Sequence, residues 1–265
     1  MPTFGLAGAL NAGFTIVTDW LPKSQVYLPE PVISIHERIA LRSRVPKCHT
    51  YPYYDHSTNA LNVPRMLDAM RAMPENSVVV LHASGHNPTG LDPTEGEWDC
   101  IMNICKEKQH LPFFLLGYQG IVSGSTDNDA YYIRKFMNEG LQLLVAQSYS
   151  VNMGIYGERA GAFHVACLDA QTAERTASQL RWQIRRFYSA PPLHPARVVG
   201  RLLENPEYCS LWQNSMRDVH ARLTSVRKSL RDQLIEMQTP GNWDCLLRQG
   251  GLYSALGLSG IKDCV

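Results

Sequence analysis

Short apolar runs alternate with amphipathic stretches between about residues 24 and 170 of the chain. Continuous apolar runs are typical of strands buried on both faces of a parallel sheet, and the amphipathic stretches between them predict crossover helices. We therefore expect an α/β fold in which helices sandwich a mostly parallel sheet. The predicted strands are residues 25–28, 77–83, 112–116, 141–147 and 162–166.

The sequence predicts the boundaries of two helices in this region. In "DPTEGEW", Asp92 is a candidate N-cap and Pro93 a candidate first helical residue. In "DNDAYYIRKFMNEG", the pattern predicts one helix that runs from Asp127 to a glycine stop at Gly140.

From Pro206 the pattern changes to one long amphipathic helix. About thirty residues at 1.5 Å each span about 45 Å, enough to connect two domains. The following "DCLLRQGGLYSALGLSG" predicts the first strands of a second domain. We therefore divide the chain into a large domain, residues 1–205, and a connecting helix with a partial small domain, residues 206–265. The apolar stripe consists of Trp212, Met216, Val219, Leu223, Val226, Leu230, Leu234 and Met237.

Net charge, the length of the apolar runs and the cysteine spacing argue against several classes of function. The formal charge of +1 over 265 residues argues against a nucleic-acid partner, and no apolar run is long enough to predict a membrane span. The seven cysteines are scattered, with no C-x-x-C pair or histidine at metal-site spacing, so we predict reduced thiols and no metal site. A cytoplasmic protein is the expectation.

Candidate chemistry follows two of the predicted strands. The turn "SYSVNMGIYGERAG" comes directly after "LQLLVAQ", and its hydroxyls, glycines and arginine suit an anion. The turn "HNPTG" follows "SVVVLHA". Ligands in open α/β sheets bind at such strand ends. Yet the centre of the first turn is Val151, which can neither donate, accept, titrate nor attack.

The motifs "VVVLHASGHNPTGLDPTEGEW", "LPFFLLGYQGIVSG", "AQSYSVNMGIYGERAGAF" and "YSAPPLHPARVV" together resemble the cytoplasmic aspartate aminotransferases. The resemblance runs from about Gly8 to Gly257. It implies a fold-type I transferase that depends on pyridoxal 5'-phosphate (PLP), a homodimer, and a dicarboxylic amino acid or 2-oxo acid as ligand. It also implies that the N-terminal arm and the C-terminal part of the small domain, with the arginine for the substrate α-carboxylate, are missing.

Four positions depart from the family pattern. The family's PLP lysine, in "S-x-S-K-N", corresponds to Val151 in "SYSVN", and the aspartate that pairs with the pyridine nitrogen corresponds to Leu115 in "FFLLGYQG". The tryptophan that stacks on the ring corresponds to Ile33, and Ala7 replaces a polar residue of the phosphate cup, in "GLAGAL". No catalytic residue is therefore intact.

Other positions keep the family residue, and each has a plainer reading. Arg159 could pair with a carboxylate or solvent, "HNPTG" could simply be a tight turn, Arg185 could belong to a basic face with Arg186, and His36 could be a packed core residue. By resemblance, Ser148, Ser150 and Arg159 belong to the phosphate cup, and Asn87 and Tyr118 bind the cofactor's phenolic oxygen. Arg185 corresponds to the arginine that binds the substrate's side-chain carboxylate across the dimer. His36 corresponds to the histidine that steadies the aspartate replaced here by Leu115.

Three hypotheses follow. The preferred one is an aspartate-aminotransferase homologue with little or no transaminase activity, which acts through binding. The second is an active aminotransferase or racemase that uses non-covalently bound PLP and a remote base. The third is an unstable truncated product.

Overall fold

A seven-stranded sheet forms the centre of the protein, whose computed structural model describes residues 1–257. The strands of this part of the chain are β1 (Pro2–Phe4), β2 (Val26–Glu30), β3 (Cys48–Pro52), β4 (Tyr54–Asp55), β5 (Ala60–Leu61), β6 (Val78–His82), β7 (Leu111–Leu116), β8 (Leu143–Ser148) and β9 (Ala160–Ala166). The sheet order is β1-β9-β8-β7-β6-β2-β3, and β4 and β5 form a separate hairpin.

The predicted mostly parallel sheet is confirmed. Strands β3, β2, β6, β7 and β8 pair in parallel, whereas β9 runs antiparallel to both β8 and β1. All five predicted strands are present, with ends that differ from the prediction by no more than about two residues. Strands β1, β3, β4 and β5 were not predicted. Strand β3 lies at the sheet edge with its histidine and threonine exposed, and the other three are very short.

Helices cover both faces of the sheet. They are α1 (Gly5–Trp20), α2 (Ser34–Arg42), α3 (Val63–Ala72), α4 (Glu95–Glu107), α5 (Thr126–Asp129), α6 (Tyr131–Asn138), α7 (Ala170–Tyr188), α8 (Leu193–Glu204), α9 (Pro206–Glu236) and α10 (Cys245–Arg248).

The central strands divide their side chains between two cores. In β7, Phe114 points into the core that also contains residues of α3, α4 and α6, whereas Phe113 and Leu115 point into the core beneath α1. This alternation is the period of two expected for a strand covered on both faces. A side chain at the end of β7 that faces α1, such as Leu115, must therefore fit the apolar core beneath that helix.

Two predicted helix boundaries are wrong. Helix α4 begins after Thr94, whose side chain forms a capping box with Glu97, and not after Asp92. The carboxylate of Asp92 instead accepts hydrogen bonds from the turn before it. The predicted helix from Asp127 to Gly140 is two helices, α5 and α6, which are separated at Ala130.

The long helix α9 is confirmed, with Pro206 as its first residue and 31 residues in all. Asn205 caps it by accepting from two amides of the first turn. The predicted stripe is only partly covered, however. Val226, Leu230 and Met237 are exposed, and within α9 only Met216 and Arg227 are buried.

The predicted strands after α9 are not observed in the described residues. Cys245–Arg248 forms the helix α10, and residues 249–257 form no strand. Their backbone groups find other partners, because Arg227 donates to the carbonyls of Gly251 and Tyr253, and Gly250 donates to Gly90. Residues 258–260 of this prediction lie outside the described part.

Two other findings concern the chain as a whole. None of the six cysteines that the structure describes is in a disulfide. Over residues 1–257, no helix combines the length and the apolar character needed to cross a membrane.

The close approach of α1 to the sheet gives the first prediction. A Cβ at Gly13 would lie 2.3 Å from the ring of Phe113, which is fully buried. We expect Gly13→Ala to destabilise the protein in urea unfolding, since overpacking costs about 1–3 kcal/mol. Gly96 in α4 is the matched control, because it has no neighbour within 4 Å, and alanine there should stabilise the helix. Equal effects of the two substitutions would contradict the packing described here.

Candidate functional site

Three turns meet at one edge of the sheet. "HNPTG" follows β6, "GYQG" follows β7 and "SYSVN" follows β8, and these three strands are parallel neighbours. The carboxyl ends of parallel strands are where this class of sheet binds ligands. The topology therefore collects the candidate residues of the sequence analysis at one place.

Asp92 holds the first turn in shape. Its carboxylate accepts from the backbone amides of Gly85 at 2.7 Å and His86 at 3.0 Å. The ring of His86 lies 2.8 Å, Nδ1 to Oγ1, from Thr89 inside the same turn. Burial raises the pKa of Asp92 to about 6, while the two amide bonds favour its charged form.

A chain of hydroxyl groups crosses from the first turn to the second and beyond. Asn87 donates its Nδ2 to the Tyr118 hydroxyl at 2.9 Å, and that hydroxyl donates to the Tyr253 hydroxyl at 3.3 Å. Burial, and the bond to Tyr253, raise the pKa of Tyr118, so the phenol stays protonated. Tyr253 was not among the predicted site residues, because its only signal in the sequence is a phenol in an apolar segment beyond α9.

The third turn surrounds Val151 with polar groups. The amide of Ser150 donates to the Ser148 hydroxyl at 3.2 Å, and the Ser150 hydroxyl is buried without a partner among the described residues. Val151 itself is half-buried. Helix α9 supports the turn, because the Trp212 indole donates to the Asn152 carbonyl at 2.6 Å.

Arg159 and the start of α1 form a second wall beside this turn. The guanidinium lies against Gly5, since a Cβ on that glycine would be 2.7 Å from Nη2. It donates to the Tyr156 carbonyl at 3.0 Å and pairs with no carboxylate within residues 1–257. No side chain caps the first turn of α1. We call the set of Gly5, Ser148, Ser150 and Arg159 the anion corner, because helix amides, hydroxyls and a guanidinium all favour negative charge there.

On the opposite side of the candidate site, Leu115 is an apolar residue that is buried in the core beneath α1. It is 1% exposed, and it pairs with His82 on β6 and Ala146 on β8. His82 is flanked by two further buried histidines, with ring centroids 6.1 Å away for His36 and 4.6 Å away for His86. Burial lowers the pKa of His36 to about 4 and of His86 to about 3, and holds that of His82 well below its usual range.

The remaining candidate residues, Ala7, Ile33 and Arg185, are exposed or half-buried. Ala7 is exposed in the first turns of α1, and the carbonyl of half-buried Ile33 accepts from the His36 amide at the start of α2. Arg185 is exposed near the end of α7, and the described contacts do not connect its side chain to the three turns. Its neighbour Arg186 forms an ion pair of 3.6 Å with Asp19.

Comparison with known proteins assigns the chain and its fold to a family. Residues 3–263 match the family described as aminotransferase class I and II. The chain belongs to this family. As the sequence resemblance implied, its members depend on PLP, and the architecture is that of the fold-type I aminotransferases.

Among curated aminotransferases, the chain is 40% identical to the cytoplasmic aspartate aminotransferase of Dictyostelium discoideum over 253 residues, which are 95% of this chain and 58% of the relative. It is 38% identical to the cytoplasmic enzyme of Saccharomyces cerevisiae over 260 residues, 95% of this chain and 62% of the relative. The chain therefore spans about three fifths of the length of these relatives.

Two solved aminotransferases share the fold closely. The broad specificity aminotransferase of Leishmania mexicana superimposes with a TM-score of 0.95 at 37% identity, covering 98% of this chain and 65% of that one. The aromatic-amino-acid aminotransferase of Burkholderia pseudomallei, solved covalently bound to pyridoxal phosphate, gives 0.94 at 31% identity, with 97% and 64% covered.

The three buried histidines predict an acid-sensitive fold. They are neutral when folded, whereas an unfolded histidine binds a proton below about pH 6.5, so folding stability is present above that pH and is lost as the pH falls towards 4. Each histidine contributes a slope of up to about 1.4 kcal/mol per pH unit. Asp92 has the opposite effect on stability. Its pKa is raised in the folded protein, so between about pH 4 and 6 the folded state binds up to one more proton at this residue than the unfolded state does.

We expect urea unfolding at pH 7, 6 and 5 to show this loss, and His36→Gln to reduce the slope. His194→Gln, at an exposed histidine of α8, is the control and should leave the slope unchanged. A wild-type stability that stays level between pH 7 and 5 would contradict the neutral assignment.

Proposed function

We propose that this chain is an aspartate-aminotransferase-like protein with little or no transaminase activity, which acts through binding. By resemblance, the family reaction converts L-aspartate and 2-oxoglutarate to oxaloacetate and L-glutamate. One observation carries the proposal: the centre of the turn after β8 is Val151. A hydrocarbon side chain cannot bond an aldehyde or move a proton, and a positioned general acid or base is worth about 10²–10⁴ in rate.

The anion corner supports retained binding of a phosphate or similar anion. Ser150 offers a buried, unpartnered hydroxyl, and Arg159 offers a guanidinium with no carboxylate partner in the described part of the chain. A phosphate is held by this combination of donors elsewhere in proteins. These residues fit the phosphate end of PLP.

The opposite end does not fit the PLP ring. A pyridinium placed against Leu115 would have no counter-ion, and an unpaired buried charge costs several kcal/mol. Ile33 offers no aromatic plane for stacking. We therefore assign no chemical step to PLP in this chain, and the family's three remaining contacts, Asn87, Tyr118 and Arg185, are proposed as binding residues only.

An active enzyme with non-covalently bound PLP, an aminotransferase or racemase, is the second candidate. The Asn87–Tyr118 pair favours it, because the two side chains lie together at adjacent strand ends, with Asn87 Nδ2 2.9 Å from the Tyr118 hydroxyl. A chain of low stability is the third. The exposed apolar positions Val226, Leu230 and Met237 favour that reading.

Family resemblance also supports proposals for the oligomeric state, the domain division, the ligand class and the cellular location. We infer a homodimer, in which Arg185 reaches across to the partner's site, and a large domain of residues 1–205 followed by a connecting helix and part of a small domain. A dicarboxylic amino acid or 2-oxo acid is the expected ligand class. Likeness to the two cytoplasmic relatives supports a cytoplasmic location.

The first test is retention of PLP by the purified chain. After incubation with PLP and dialysis, we expect the visible spectrum to return to baseline, because no amine stands at position 151. Borohydride reduction and peptide mapping should find no specifically labelled lysine. A retained band that maps to one lysine would overturn the inactive assignment and would identify the base required by the second candidate.

The second test restores the missing groups. Val151→Lys combined with Leu115→Asp should recover PLP retention, since the anion corner is still present. The pair Val151→Met with Leu115→Asn, of similar size but without the amine and the charge, is the control and should retain none. If the restored protein is folded by circular dichroism yet stays colourless, the pocket itself no longer matches PLP.

A further inference from the structure

A cavity separate from the three turns lies between α9 and the segment that follows α10. Its volume is about 220 Å³, and it is lined by Val122, His220, Thr224, Arg227, Gln249 and Gly250, among others. We call it the α9 cavity. It is large enough for a molecule of several non-hydrogen atoms, and its lining combines polar and apolar groups.

Arg227 brings an uncompensated positive charge to this cavity. The residue is 8% exposed, and no carboxylate within residues 1–257 forms an ion pair with it. Its Nε donates to the Ser254 hydroxyl and its Nη2 to the carbonyls of Gly251 and Tyr253, so that Nη1 has no hydrogen-bond partner among the described residues. Burial lowers the pKa of the guanidinium, as expected for a cation without a counter-ion.

Gln249 brings an unpartnered acceptor to the same cavity. It is 6% exposed, its Nε2 donates to the Ala255 carbonyl at 2.7 Å, and its Oε1 is buried without a described partner. Buried amide oxygens in proteins are normally hydrogen-bonded, and an unmade bond of this kind destabilises the folded protein. Arg227, whose Nη1 has no described partner, and Gln249, whose Oε1 has none, therefore both line this cavity.

We propose that the α9 cavity binds a small α-amino or α-hydroxy carboxylate. The carboxylate takes the Nη1 side of Arg227, and the neighbouring ammonium or hydroxyl group donates to Oε1 of Gln249. The site is distinct from the anion corner, and it does not depend on PLP binding.

Occupancy of the cavity also stabilises one end of the hydroxyl chain. Arg227 holds the backbone of Gly251 and Tyr253, and the Gly250 amide donates to the Gly90 carbonyl at 2.6 Å. The Tyr253 hydroxyl accepts from Tyr118 in the candidate site. A ligand that bridges Arg227 and Gln249 therefore orders the segment that carries Tyr253.

The test is calorimetric titration of the whole chain with glycine, glycolate and acetate, each alone. We expect saturable binding of all three, with glycine and glycolate about two- to tenfold tighter than acetate because they add one hydrogen bond. Arg227→Met should weaken all three by about tenfold or more, since it removes a charge-assisted pair. Gln249→Leu should abolish the preference over acetate and leave acetate binding within about twofold.

Matched variants locate the ligand. Arg222→Met removes an exposed arginine of the same helix and should change nothing. Thr224→Phe fills the cavity from an exposed position, so it tests the site even if Arg227→Met does not fold. Arg159→Met alters only the anion corner and should leave glycine binding intact, even if PLP binding changes.

Three results would overturn the proposal. The first is no saturable heat with any of the three ligands. The second is binding that survives both Arg227→Met and Thr224→Phe. The third is binding lost in Arg159→Met, which would assign the ligand to the anion corner.

Discussion

Strand β7 lies at the centre of the sheet, buried on both faces. It pairs in parallel with β6 on one side and β8 on the other, and its side chains are buried alternately under α1 and under the opposite layer of helices. A strand in this position demands only that its side chains be apolar and of suitable size. Leucine at position 115 satisfies that demand better than a carboxylate would. The fold is therefore compatible with leucine at this position.

The two ends of the candidate site consequently differ in character. The anion corner is built from backbone amides, two serines and Arg159, and none of these is needed to fill a core. The wall at Leu115 has become an extension of the core beneath α1, with three neutral histidines behind it. The anion corner therefore favours negative charge, whereas the wall at Leu115 is apolar.

The sequence predicted those parts of the fold whose cause is local. Buried strands such as β6 and β8 are continuous apolar runs, and α9 begins with an Asn-Pro pair that any helix start would favour. The errors have tertiary causes. Asp92 resembles an N-cap but serves the amides of Gly85 and His86, and residues after α10 resemble strands but have Arg227 as their partner.

The candidate site was predictable to a similar degree. Motif spacing places Asn87 and Tyr118 at adjacent strand ends, and the structure brings them into contact at 2.9 Å. Tyr253 could not be placed in the same way, because 135 residues separate it from Tyr118 and only the path of α9 joins them. Its contribution is a consequence of packing that no local pattern records.

The attachment of α9 at both of its ends has a mechanical consequence. Near its start, Trp212 is tied to the turn after β8, and beyond its end, Gly250 is tied to the turn after β6. These two hydrogen bonds connect α9, and the segment that follows it, to different turns of the candidate site. Movement of residues 249–257 away from the site would therefore break the bond between Gly250 and Gly90.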